Sequence, residues 1–120
     1  MISVKEMIGL IVMVKEFQIR SFFWSMYQTN DARAMVMREM SDDLYGAIAR
    51  LIEGYQGRFR KRIDFSGVDF RNVRYSDELF DMLLKRLDPI TELTVDAGLW
   101  SEVVTLLYRY RGRLNRTGKV

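Results

Sequence analysis

The chain has 120 residues, 48% of them hydrophobic and 29% charged, with a formal net charge of +3. That composition and length describe one globular domain with a single core, and exclude a chain disordered throughout. Histidine and cysteine are both absent, which excludes disulfides, a thiolate nucleophile, zinc-finger spacing and the usual proton shuttle.

Ser3-Val4-Lys5-Glu6 reads as a capping box, so a helix is expected from there to about Gln28. Its polar stripe is narrow (Lys5, Gly9, Glu16, Arg20), and the rest is apolar, including Ile8, Ile11, Val12, Val14, Ile19, Phe22, Phe23 and Met26. A helix apolar over most of its circumference must be central in a core or covered by a partner. The run from Ile8 to Val14 is far shorter than the roughly 20 residues of a membrane span, and Lys15 and Glu16 follow it directly. Neither a spanning helix nor a cleaved signal is expected.

Thr29-Asn30-Asp31 is a turn and cap signal, and a second helix follows to about Gly54. Met37, Met40, Leu44, Ala47, Leu51 and Tyr55 recur at steps of three or four, a helical stripe. Ser41 and Gly46 are candidate bends. Residues 57 to 75 lack a helical period, and a short extended or β-hairpin insert is expected near 59–75. Helical reading resumes at Ser76, a good cap with Asp77 and Glu78 behind it, and Phe80, Leu83, Leu84 and Leu87 form the apolar face. Asp88-Pro89 ends that helix and caps a short one reaching to about Gly98. The last helix runs from about Leu99 to Leu114 on Trp100, Val103, Leu107, Tyr110 and Leu114, and a frayed basic tail covers about 115–120. The expected fold is mostly α: residues 1–120 as one compact bundle of four to five helices.

Charge is unevenly placed. Residues 1–56 carry net −1, 57–76 net +4, 77–102 net −5 and 103–120 net +5. Arg58, Arg60, Lys61 and Arg62, with Arg109, Arg111, Arg113 and Arg116, are the candidate nucleic-acid contacts, because guanidinium groups neutralise phosphates. The competing explanation is that both groups follow helix C-termini, where cations favour the dipole. Between 63 and 77 a five-residue beat, Ile63-Asp64-Phe65-Ser66-Gly67 and its two successors, resembles the pentapeptide-repeat pattern. Three units cannot bury their faces without stacked neighbours, so a hairpin or strap is the expected form. The acidic positions Asp77, Glu78, Asp81, Asp88, Glu92, Asp96 and Glu102 lack a calcium-loop spacing and read as a solvated face, or one that meets a basic face.

Eight methionines is many for this length, and methionine suits adaptable surfaces. Together with the apolar first helix they imply more apolar surface than one small bundle hides. The expected function is therefore a small non-catalytic interaction protein, working in the cytoplasm by helix-mediated homo-oligomerisation or by docking a protein partner. Ile11, Phe22, Phe23, Trp24, Met37 and Met40 are the expected contact residues. The alternative is a helical nucleic-acid binder using segments 58–62 and 109–119. No catalytic residue, cofactor or metal is expected.

Overall fold

The computed structural model describes residues 4–60, 62, 76–89 and 97–117. Four helices make up nearly all of them: α1 (Val4–Ser25), α2 (Asp31–Phe59), α3 (Asp77–Leu87) and α4 (Ala97–Arg116), and no strand occurs among the described residues. The hairpin or strap expected at 63–75, the short helix expected after Pro89 and the capping serine Ser3 lie outside them. Where the insert region is described, it differs from expectation. α2 continues past Gly54 and Gly57 to Phe59, and Arg60 ends it in the left-handed region (φ 52°, ψ 35°). Burial of Tyr55 and the favourable placement of Arg58 in the last turn carry the helix beyond those glycines. α2 also runs unbroken through Ser41 and Gly46, the candidate bends.

Caps set two of the starts. The Asn30 side chain accepts from the Arg33 amide at 3.1 Å, and Ser76 Oγ accepts from the Leu79 amide at 3.1 Å. Each satisfies an amide that the first helical turn leaves without a partner. Asn30 works twice, since its Nδ2 donates to the Thr117 carbonyl at 2.9 Å and ties the start of α2 to the end of α4.

At about 1.5 Å per residue, 29 residues span about 43 Å, close to the 44 Å long axis of the molecule. α2 is thus as long as the protein. α1 lies antiparallel along one edge, pairing Lys15 with Tyr45, Gln18 with Ser41 and Phe22 with Arg38. α4 lies antiparallel along the other, pairing Arg50 with Glu102, Asp43 with Arg109 and Glu39 with Arg113. α3 closes the remaining side. It starts beside the start of α2 through Arg33–Asp77, packs Phe80 on Phe17 of α1 (centroids 4.8 Å apart), and meets Arg111 of α4 through Asp81. Arg60 and Ser76 therefore stand toward opposite ends of the bundle.

The core takes one stripe from each helix, among them Ile11 and Val14, Met37, Met40, Leu44 and Leu51, Phe80 and Leu87, and Trp100, Val103, Leu107, Tyr110 and Leu114. This corrects half of the expected contact list: Ile11, Met37 and Met40 have no exposed surface and pack inside the chain. One buried polar contact fixes the α1–α2 register. Gln18 Nε2 donates to Ser41 Oγ (2.9 Å), Ser41 Oγ donates to the Gln18 carbonyl (3.1 Å), and Lys15 Nζ donates to Gln18 Oε1 (2.7 Å). A one-turn slip would leave Gln18 Nε2 and Ser41 Oγ buried and unpaired. At the other end, Trp100 Nε1 donates to Met7 Sδ at 2.7 Å, joining α4 to α1.

Gly54 lets Leu99 of α4 pack directly on α2: a Cβ there would stand 2.7 Å from Leu99 Cδ2. Gly9, exposed in α1, has nothing within 4 Å of the same position. Gly9→Ala should therefore raise stability by up to about 1 kcal/mol, the helix-propensity difference. Gly54→Ala should lose that gain to the overlap with Leu99. Urea unfolding of both variants checks this, and equal gains would contradict the packing. Met37→Asp should prevent folding, seen as loss of the cooperative transition, because it places a charge in the core without a partner.

Candidate interaction surface

The last turn of α1 carries Phe22, Phe23 and Trp24, and the turn after it Met26 and Tyr27. Polar groups inside the hairpin close the helix here: the Met26 and Tyr27 amides donate to the Phe23 and Trp24 carbonyls (both 3.1 Å), and Ser25 Oγ donates to the Phe22 carbonyl (2.6 Å). With the backbone satisfied locally, the side chains are left pointing outward. Phe23 is 42% exposed, Met26 56% and Tyr27 71%. Phe22 and Trp24 are half-buried beneath them, with Phe22 edge-on to Phe23 (5.5 Å) and Trp24 edge-on to Tyr27 (5.7 Å). The rings brace one another, which lowers the conformational entropy that a contact would cost.

The surface extends onto α2. Met35 and Tyr45 are both exposed, and of the seven large hydrophobic side chains exposed among the described residues, only Met82 and Tyr108 lie off the α1–α2 hairpin. The apolar excess is thus concentrated on one hairpin rather than scattered. Ile8, Val12 and Ile19, half-buried on the outer side of α1, continue it along the bundle. Lys15 is the polar interruption. Its ammonium sits 4.4 Å from the Tyr45 ring centroid, and burial pushes its pKa below the usual lysine range.

Of the six contact residues read from the sequence, Phe22, Phe23 and Trp24 thus lie together at the α1–α2 corner, while Ile11, Met37 and Met40 are in the core. Met26, Tyr27, Met35 and Tyr45 are exposed as well and were not among those six. A signal for two of them existed: Met35 stands two residues out of step with Met37, about 200° around the helix, and Tyr45 follows the buried Leu44.

The arginines fall into two groups. Arg58, Arg60 and Arg62 are exposed at the C-terminal end of α2, and Lys61 lies outside the described residues. The other group lines α4 and faces carboxylates of the neighbouring helices. Arg109 lies 3.7 Å from Asp43, Arg111 lies 2.7 Å from Asp81 and 4.0 Å from Asp77, and Arg113 lies 2.7 Å from Glu39. Arg116 is exposed in the last turn. Hydrogen bonding to Arg111 holds the Asp81 carboxyl below its ordinary range, and Arg50 does the same for Glu102. Because α2 and α4 are antiparallel, their C-terminal groups sit at opposite ends of the bundle. From Arg58 to the level of Thr117, beside Asn30, is about 42 Å of helix. Arg58 and Arg116 therefore stand at opposite ends, while Arg109 stands beside Asp43 near the middle of α2.

Comparison with protein-family models, with curated proteins and with solved structures found no match. Among the described residues no helix is long and apolar enough to cross a membrane, and no group of three acidic side chains is placed to hold a metal ion.

At the centre of the α2–α4 seam the buried Tyr110 hydroxyl donates to Asp43, and the Arg109 and Arg113 guanidiniums lie 5.4 and 5.1 Å from its ring. Burial first, and the Asp43 hydrogen bond second, raise its pKa to about 12. The folded state therefore holds this proton more tightly than the unfolded state does, so stability falls as pH rises from 10 through about 12. The difference in phenolate absorbance between the wild-type chain and Tyr110→Phe should show one tyrosine titrating near pH 12. A component near 10 would contradict the seam geometry.

Proposed function

We propose that this chain is a small non-catalytic interaction protein that works by helix-mediated self-association or by docking a protein partner on the α1–α2 face. The observation that carries the reading is the braced, exposed cluster of Phe23, Met26 and Tyr27 over Phe22 and Trp24, next to Met35. Aromatic residues and methionine are the types enriched where proteins meet, and rigid anchors bind at low entropic cost. The absence of histidine and cysteine supports a non-catalytic role, and the absence of cysteine also fits a cytoplasmic setting. The nucleic-acid reading has less behind it: Arg58 and Arg116 lie at opposite ends of the bundle, and Arg109, Arg111 and Arg113 face carboxylates of the same chain.

A photo-crosslinking phenylalanine analogue tests the reading when placed at position 27 and, as a control, at position 109. In expressing cells, position 27 should give one discrete adduct, to a second copy or to a single partner, and position 109 none. Phe23→Asp should abolish that adduct while leaving the helical spectrum unchanged. No adduct at position 27, or equal adducts at both positions, would defeat the reading.

A further inference from the structure

One stripe of α2 carries more information than its apolar content. Met35, Arg38, Asp42 and Tyr45 follow one another at steps of three, four and three, which keeps them on one outward line of the helix. All four are exposed, Met35 at 64% and Tyr45 at 63%. The line reads apolar, cation, anion, apolar, and it is symmetric about position 40: 35 mirrors 45, and 38 mirrors 42. Arg38 lies 5.2 Å from the Phe22 ring centroid and donates to Ser25 Oγ at 3.4 Å, but it forms no ion pair among the described residues. Asp42 forms no hydrogen bond or ion pair among the described residues, although Arg38 is one helical turn away.

We propose that this stripe pairs with the same stripe of a second copy, antiparallel and about a two-fold axis that crosses the outer face of α2 at the level of position 40. This deepens, and rests on, the reading of the α1–α2 face as an interaction surface. Two-fold contacts are self-complementary: if residue i meets j, then j meets i. Antiparallel pairing sets Arg38 against Asp42 of the second copy and Asp42 against its Arg38. Parallel pairing would set Arg38 against Arg38 and Asp42 against Asp42, so charge selects the antiparallel arrangement. The same axis brings Tyr45 of each copy onto Met35 of the other. A groove of about 310 Å³, lined by Ser25, Ala34, Met35, Arg38 and Glu39, lies there to receive the ring, and sulfur–aromatic contact is favourable. Phe22, beneath Arg38, extends the contact toward α1.

The test is a charge exchange, followed by sedimentation equilibrium. The wild-type chain should have twice its 14.2 kDa mass. Arg38→Asp and Asp42→Arg should each raise the dissociation constant by at least about tenfold, since each sets like charges together twice. An equimolar mixture of the two variants should regain the dimer, because every contact across a mixed pair is again cation to anion. That recovery also shows that both variants are folded. If the single variants associate like wild type, or the mixture stays monomeric, the α2 pairing is wrong. The broader reading still stands in that case if Phe23→Asp changes the mass of the wild-type assembly. A wild-type chain monomeric at every concentration also overturns the pairing, and the broader reading then rests on the crosslink at position 27.

Discussion

Everything in this molecule is referred to α2, a helix as long as the protein, buried along one stripe and flanked on both edges by antiparallel neighbours. A helix of that length cannot be held by propensity alone, since isolated helices are marginal in water. Its stability comes from the continuous apolar line through Met37, Met40, Leu44, Leu51 and Tyr55, which α1 and α4 cover from its two edges. Once that line faces inward, the positions out of step with it must face outward. Met35 and Tyr45 are exposed for this reason.

The same constraint organises the charges. The alternation of acidic and basic blocks suggests separate surfaces for separate partners, but the antiparallel register of α2 and α4 turns much of it inward. Glu39, Asp43 and Arg50 meet Arg113, Arg109 and Glu102 along one seam, while Asp77 and Asp81 meet Arg111 along the next. Each exposed pair contributes little by itself. They also bear on register, because a two-turn slip of α4 would set Arg50 against Arg109 or Asp43 against Glu102. Arg38 and Asp42, on the outer line of α2, take no part in this lacing.

Much of the fold was legible where local chemistry decides it. The caps at Asn30 and Ser76 act as their residue types predict, and α4 buries the five residues that its period marked, Trp100 to Leu114. The end of α2 was not legible. Gly54 looks like a stop, yet it serves close packing on Leu99, a tertiary demand that no local rule contains. The exposed apolar surface was half legible. Apolar excess on α1 and in the methionines was evident, but excess alone does not say which side is inward, so Ile11, Met37 and Met40 were read as contact residues beside Phe22, Phe23 and Trp24. Relative phase would have separated Met35 from Met37. For the basic segments the missing fact was helix direction, which sequence periodicity does not carry.

The central claim is that α2 holds its two flanking helices antiparallel, keeping the C-terminal ends of α2 and α4 apart and leaving the α1–α2 face as the open surface. The chain has no cysteine, so Gly57→Cys and Arg116→Cys introduce two unique attachment points for nitroxides, both at exposed positions. Dipolar electron resonance on that doubly labelled chain, diluted in unlabelled protein, reads the distance between them within one molecule. The arrangement described here predicts a distribution centred near 40 Å, roughly the length of the intervening helix. A distribution centred below about 25 Å, little more than half that helical length, would place the two basic segments on one surface and contradict the account.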